Sequence, residues 1–317
     1  MMSGDAAATS ALYQDLRPLL FSIAYRMLGS VSEAEDIVQE AFLRYHRATA
    51  GGQHVPESPK AYLSAVTTRL CIDQLRSARA RRESYVGEWL PEPLLTGPEP
   101  LAQIAPDPQE HAEQADTLSM AFLLVLERLS PLERAVFLLH DVFSYDYDET
   151  AGIVGRSAAT CRQLAHRARQ HMDAERPRFE VEAAQRNELA ARFFDAVGRG
   201  DMEGLVDLLA ADVEVHGDSG GVPPSWPRPI IGRDKVSRLL ISLGEQIGRL
   251  GGSLKSVEVN GQPGALVQSP DGSLVNVFSL DIADGQIQMI RSVINRDKLR
   301  HLGPLADVAG LREQLRE

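Results

Sequence analysis

The chain has 317 residues, 44% of them hydrophobic, with a formal net charge of −11 and a sequence pI of about 5.3. That length allows two or three packed domains, and the acidic balance excludes a protein that coats nucleic acid over its whole surface. Cys71 and Cys161 both fall in predicted helices and suggest neither a disulfide framework nor a metal site. With no signal-like start and no apolar run near the ~20 residues that span a bilayer, the expectation is a cytoplasmic protein with no membrane contact and no cofactor.

Residues 1–10 are small and polar, and a frayed start is expected. Leu12, Leu16, Leu19, Leu20, Ile23 and Met27 then recur at helical spacing up to Gly29, which predicts the first helix. Ser32-Glu33-Ala34-Glu35 has the form of a capping box opening a second helix, whose seam is Ile37, Val38, Ala41, Phe42 and Tyr45. Glu33, Asp36, Gln39 and Glu40 lie off that seam as an acidic face, which taken alone is a solvated helix surface. Ser58-Pro59 opens a third helix with Leu63, Val66, Leu70 and Leu75 on its apolar side. Arg69, Asp73 and Arg76 recur on the other side, and Arg79, Arg81 and Arg82 follow. Asp73 suits a surface ladder with Arg69 and Arg76, but six basic residues from Lys60 to Arg82 face Asp73 alone. Such a cluster repels itself unless it meets an anion, and nucleic acid is the natural one.

Residues 83–119 contain eight acidic residues, no lysine or arginine, and prolines at 91, 93, 98, 100, 106 and 108. This composition predicts a largely extended linker. Trp89 and Leu90, inside Trp89-Leu90-Pro91-Glu92-Pro93, are too apolar for a free acidic tether and call for burial.

Beyond the linker, Ser130-Pro131-Leu132-Glu133 is a capping box with proline at the first helical position, and Asp146-Tyr147-Asp148-Glu149 is another. The helix opened by the second must end at Gly155, just before Ser157. From Ala158 to Met172, Ala158, Cys161, Leu164, Ala165, Ala168 and Met172 share one face, and Arg162, Gln163, His166, Arg167, Arg169 and Gln170 the other. Helix, glycine turn and basic helix form the helix-turn-helix pattern, and Arg and Gln carry the forks that match guanine and adenine edges. Arg156, Ser157 and Thr160 sit at the start of this helix, where its first turn can meet a phosphate.

From Arg186, two amphipathic helices broken at Gly198-Arg199-Gly200 lead to a strand at Asp212–His216 and a helix at Arg233–Leu243. Strands follow at Leu254–Val259, Ala265–Gln268, Leu274–Asp281 and Gln286–Ile294, with Asn260-Gly261, Pro270-Asp271-Gly272 and Asp284-Gly285 as turns. Helices first and then a strand meander is an α+β plan. Asp212, Glu214, His216 and Asp218 are close enough in sequence for acid–base work, yet along a strand Asp212, Glu214 and His216 form an ordinary polar face. No catalytic residue is assigned.

Three strings, Ser32–His46, Ser58–Arg82 and Leu129–Gln170, stand in the order of regions 2 and 4 of an extracytoplasmic-function sigma factor, and the chain resembles that family over roughly residues 10–176. The resemblance implies a promoter-specificity subunit whose partners are core RNA polymerase, through the beta-prime clamp and the beta flap, and promoter DNA. It implies that Glu33, Asp36, Gln39 and Glu40 bind polymerase. It also implies that Arg69, Asp73, Arg76, Arg79, Arg81 and Arg82 read a melted minus-10 element, and the basic helix a duplex minus-35 element. The Trp89–Pro93 string resembles the linker motif of sigma factors with a fused SnoaL-like domain. Asn295-Arg296-Asp297-Lys298-Leu299 is similar to that subgroup's Asn-Pro-Asp-Lys-Leu, with Arg296 in place of proline. Asp218-Ser219-Gly220-Gly221-Val222 is similar to its Asp-Gly-Gly-Gly-Lys, with Ser219 and Val222 departing. The resemblance implies that these strings meet between domains, through Trp89, Leu90, Pro91, Glu92 and Pro93 on one side. On the other would stand Asp218, Gly220 and Gly221, with Asn295, Asp297, Lys298 and Leu299.

The expected fold is thus multidomain. Two all-α sigma domains lie at 10–82 and 120–176, joined by the linker at 83–119. An α+β SnoaL or nuclear-transport-factor-2-like cone follows at 186–300, with a pocket open to an unidentified small ligand, and a tail at 301–317. The alternatives are an autonomous ligand-responsive helix-turn-helix transcription factor and a cone-fold enzyme carried on a DNA-binding module.

Overall fold

The computed structural model describes residues 2–50, 56–83, 85, 87–97, 117–175, 183–221 and 228–315. The chain divides into two compact units. One holds the helices of the first half of the chain, and the other holds the segments around Trp89 and Leu118 together with everything from Ala183 onward.

In the first unit, α1 spans Met2–Leu28. The frayed start expected from composition is helical, because Ala6, Ala7 and Ala8 belong to the best helix former and lose no side-chain entropy. Helix α2 spans Val31–Thr49 and begins two residues earlier than expected: Ser30, not Ser32, is the N-cap, with its Oγ accepting from Glu33 N at 3.1 Å. Gly29, at φ 66°, makes the preceding turn. Helix α3 spans Pro59–Glu83, and Ser58 Oγ accepts from Ala61 N. Leu20, Val38, Ala41, Phe42, Tyr45 and Leu63 pack between these three helices.

Helix α4 (Met120–Leu126) leads to α5 (Pro131–Phe137), which continues as a π turn over Leu138–Val142 that nothing in the sequence signals. Helix α6 (Tyr147–Val154) follows, and both capping boxes form as predicted, Ser130 with Glu133 and Asp146 with Glu149. Gly155 adopts the left-handed conformation at φ 67° and turns the chain into α7 (Ala158–Glu175). Within this unit Arg134 is buried, and its Nη1 donates to Met27 O at the end of α1 and to Glu127. Ser64 and Tyr145 share a hydrogen bond of 2.9 Å.

The second unit opens with α8 (Ala183–Arg199) and α9 (Met202–Leu208) and continues into β1 (Leu209–Asp218). Strand β2 (Ile230–Ile231) and helix α10 (Arg233–Arg249) precede the meander of β3 (Ser253–Val259), β4 (Gln262–Gln268), β5 (Leu274–Ala283) and β6 (Gln286–Val293). The sheet order is β2-β1-β6-β5-β4-β3, antiparallel except for β1 against β6. Phe193 and Val197 of α8 and Val236 and Leu240 of α10 pack on Phe278, Leu280, Ile282 and Ile290 of the sheet. This is the α+β plan expected from the order of elements. After β6 the chain forms α11 (Arg296–Leu299), and the tail expected at 301–317 carries a bridge of Leu305 to Leu274 and α12 (Val308–Gln314).

Candidate functional site

The face assignment of α7 holds except at Ala158 and Arg169, which are both half-buried. Cys161, Leu164, Ala165, Ala168 and Met172 are buried, and Arg162, Gln163, His166, Arg167 and Gln170 are exposed. Ser157 Oγ accepts from Thr160 N at 3.2 Å and so leaves the helix start capped and open to solvent beside Arg156. Not every basic side chain is equally available. Arg169 Nε donates to Asp141 at 2.7 Å and its Nη2 to the Tyr147 hydroxyl at 3.3 Å, and the Asp141 hydrogen bond raises its already high pKa. Arg162 lies over the Tyr147 ring with its Cζ 5.3 Å from the centroid, and Arg167 is 3.7 Å from Glu133. Tyr147 and Asp141 thereby brace α7 from α6 and the π turn. The bracing needs the chain reversal at Gly155 and is invisible in the helix's own periodicity.

On α3, Arg69 does not complete the surface ladder with Asp73. Its Nε donates to Ile153 O at 2.8 Å and its Nη2 to Gly152 O at 2.9 Å, so a cation caps the carbonyl end of α6, where the helix dipole favours it. Arg76 keeps an exposed 3.4 Å contact with Asp73. Arg79, Arg81 and Arg82 are on the last turns of α3, and their side chains lie outside the described residues. On α2, Asp36 and Gln39 are exposed and Glu33 and Glu40 half-buried. Glu33 accepts from Gln74 Nε2 at 3.1 Å, and Glu40 pairs with Arg44 at 2.7 Å, whose hydrogen bond lowers the Glu40 pKa.

In the second unit the strings around Trp89, Asp218 and Asn295 come together at the end of β1. The Asp218 carboxylate is fully buried and accepts from Lys298 Nζ at 2.6 Å, Leu90 N at 2.9 Å, Gly220 N at 3.1 Å and the Tyr85 hydroxyl. Lys298 Nζ also donates to Leu90 O and lies over the Trp89 ring, 4.3 Å from its centroid, and over Tyr85 at 5.0 Å. Asn295 caps α11 by accepting from Asp297 N and donates to the Tyr85 hydroxyl at 2.7 Å. Burial and the Asp218 hydrogen bond raise the Tyr85 pKa, so the phenol stays a donor. Gly220, at φ 63°, has no room for a Cβ, which would stand 2.8 Å from Asn295 Nδ2. Leu90, Pro91, Glu92, Pro93 and Leu299 are buried around this centre, whereas Gly221 and Asp297 are exposed. Val222 lies outside the described residues.

A second anchor was not foreseen. Asn260 reads in the sequence as a hairpin residue and does adopt φ 54°, but its buried side chain accepts from Leu94 N at 2.9 Å and donates to Leu118 O at 3.0 Å. Its amide donates to Leu94 O at 2.8 Å, and Gly261 N donates to Thr96 Oγ1 at 2.7 Å. Leu95 bridges Val259, and His301 Nε2 lies 2.8 Å from Pro93 O. The Asn260-Gly261 pair signals only the turn; which way the amide faces depends on the linker that reaches it.

Of the acid–base candidates, Asp212 is exposed and Asp218 belongs to the buried centre. His216 is held between Glu88, at its Nδ1, and Glu214, 2.7 Å from its Nε2. Burial works against its charged form, but the two carboxylates outweigh it and raise the pKa. Among the described residues no cluster of His, Cys, Asp and Glu could hold a metal ion, and no helix is long and apolar enough to cross a membrane.

Two family profiles match the chain, Sigma-70 region 2 over residues 12–81 and Sigma-70 region 4 over residues 119–172. The chain is 37% identical over 294 residues to the ECF RNA polymerase sigma factor SigJ of Mycobacterium tuberculosis (strain H37Rv), covering 90% of this chain and 91% of that protein. It is 33% identical over 293 residues to the probable ECF RNA polymerase sigma factor SigI of the same organism, covering 92% and 94%. The crystal structure of Mycobacterium tuberculosis SigJ matches with a TM-score of 0.71 at 34% identity, over 94% of this chain and 100% of that one.

Proposed function

This chain belongs to the extracytoplasmic-function RNA polymerase sigma factors, and on that premise we propose how its parts divide the work of directing core polymerase to its promoters. Residues 10–82 act as region 2 and 120–176 as region 4, acting in the cytoplasm where polymerase works. The exposed side of α2, with Glu33, Asp36, Gln39 and Glu40, meets the beta-prime clamp, and region 4 meets the beta flap. Helix α3, with Asp73, Arg76, Arg79, Arg81 and Arg82, reads the melted minus-10 element, where a basic surface carries the backbone of a single strand, while Arg69 is held on the carbonyls of α6. Helix α7 reads the minus-35 duplex in the major groove, with Arg162 and Gln163 on base edges, Arg156, Ser157, Thr160, His166 and Arg167 on the backbone, and Arg169 held by Asp141 as the brace.

The C-terminal domain is the regulator and has no chemistry of its own. The observation that carries this reading is the double hold on the linker. Leu90 is fixed at Asp218 and Lys298, while Leu94 and Leu118, which bracket most of the tether between regions 2 and 4, are both bonded to Asn260. A free tether of 37 residues, extended as its prolines favour, reaches up to about 115 Å at roughly 3.1 Å per residue. Fastening both ends of a stretch to one side chain removes that stretch from the reach. The domain therefore acts as an internal partner at high effective concentration, limiting how far the two DNA-reading regions can separate when the contact of Arg69 with α6 opens. Against an enzyme, the pair Glu214 and His216 is tied to Glu88 of the linker, and Asp218 is saturated by donors.

In vitro transcription with core polymerase tests both levels. The full chain should direct promoter-specific initiation, a chain ending near Arg178 should initiate without control by the domain, and a chain ending before Asn295 should have a disturbed hold on the linker. Failure to bind core polymerase, with retained binding to duplex DNA, would favour the autonomous helix-turn-helix alternative. Equal transcription by the full chain and the chain ending near Arg178 would refute the regulatory role.

A further inference from the structure

The second unit contains a partly open cavity of about 320 Å³ lined by neither the linker nor the Asp218 centre. Leu243 and Ile247 of α10 and Val275 and Phe278 of β5 form its walls. Its roof is α12, whose Val308, Leu311 and Leu315 recur at i, i+3 and i+7 and turn inward, while Arg312, Glu313 and Gln314 are exposed. Leu280, Ile282 and Ile287 are fully buried in the core, and none of the residues lining the cavity belongs to α8. The space is thus created by the added C-terminal helix laid over the end of the sheet.

The lining is mainly aliphatic, with Gln246, Gln268, Ser269 and Asn276 as its uncharged polar groups, and a pocket of this size and character favours an apolar occupant over water. Its volume falls at the lower end of small-molecule sites, and because the chain's own helix already covers it, a partner helix has no room to enter. Among the lining residues the one charge is Arg312, at the edge, and no carboxylate opposes it. We propose that this cavity binds a small apolar molecule with a single acidic head, of the chemical class of a medium-chain carboxylate, with its hydrocarbon under α12 and its head at Arg312. Occupancy reaches the linker by a short path. Ile294 lines the cavity and its amide donates to Asp218 O at 2.8 Å, and the next residue, Asn295, belongs to the centre that holds Tyr85 and Leu90. The binding site stands on its own geometry; only its consequence for transcription rests on the regulatory reading above.

The test is calorimetry on the full chain with decanoate, decanol and decyltrimethylammonium as probes. Decanoate should bind saturably at one site, decanol more weakly, and the cation not at all. Leu243→Trp, which fills the cavity, should abolish decanoate binding while circular dichroism reports a folded chain, and Val275→Phe serves if that variant does not fold. Arg312→Gln should weaken decanoate about tenfold or more and leave decanol unchanged, as loss of a charge-assisted contact requires. With the second tryptophan replaced by Trp226→Phe, decanoate should shift the fluorescence of Trp89. No saturable decanoate binding, or binding indifferent to both cavity-filling variants, overturns the site, and equal binding of all three heads overturns the role of Arg312. Binding with unmoved Trp89 fluorescence overturns the path to the linker. Binding that persists while the chain ending near Arg178 transcribes like the full chain leaves the site standing and refutes the regulatory reading alone.

Discussion

Replacing Lys298 by Met isolates what the buried charge pair does for the linker. Methionine keeps most of the stem's volume, so the perturbation is the loss of the ammonium that bonds Asp218 at 2.6 Å, bonds Leu90 O and lies over Trp89. Asp218 would then be a fully buried carboxylate whose remaining partners are neutral donors, Tyr85, Leu90 N, Gly220 N and Asn295. Removing one member of a buried pair costs about 3–5 kcal/mol, because the other charge is left uncompensated. The second anchor at Asn260 does not depend on Lys298, so the loss should be local. Hydrogen exchange on the full chain reads this directly: Leu90 N should lose about two to three and a half orders of magnitude of protection, at roughly 1.4 kcal/mol per decade, while Leu94 N keeps its own. Double replacement with Asp218→Asn should cost much less than the sum of the single changes, since neither charge is then stranded. Unchanged protection at Leu90 N in Lys298→Met, or strictly additive losses in the double variant, would refute the argument that this pair fastens the linker.

Arg162→Ala should cost about 1–3 kcal/mol at one minus-35 position and relax preference there, whereas Arg169→Ala, by freeing α7 from Asp141, should weaken all sequences alike; binding to a panel of single-base promoter variants separates the two. Charge reversal at Asp36 or Glu40 should weaken binding to core polymerase with the fold intact, because the face is at the surface and its loss opens no cavity; unchanged affinity in folded variants returns α2 to a plain solvated helix. His216 makes the hold on Glu88 depend on pH. Its folded pKa is raised, so the stability it adds is fully present below about pH 6.5 and is lost as pH rises through the raised value. Protection of the linker amides should therefore fall as pH rises above about 6.5 in the parent chain and stay flat over the same range in Glu88→Gln.

Local chemistry determined much of this protein. Proline and serine at Ser130-Pro131, the Asp146 box and Gly155 have one low-energy use each, so the helix-turn-helix and the buried and exposed faces of α7 were legible from spacing alone. The hairpin residues at Asn260-Gly261 and Asp284-Gly285 take positive φ as their types require, and the order of strands followed. The first capping box was misplaced by two residues because Ser30 and Ser32 both precede a glutamate by three, and only the position of Gly29 decides between them. The C-terminal helix was missed because Val308, Leu311 and Leu315 are too few to define a period without the cavity they cover. What tertiary structure alone decided is where the long polar side chains go. Arg69 caps α6 instead of pairing with Asp73, Arg169 braces α7, and Asn260 turns its amide inward onto Leu94 and Leu118. Each of these groups has several partners of nearly equal energy along the chain, so the choice passes to whichever carbonyl or carboxylate folding buries within reach of it.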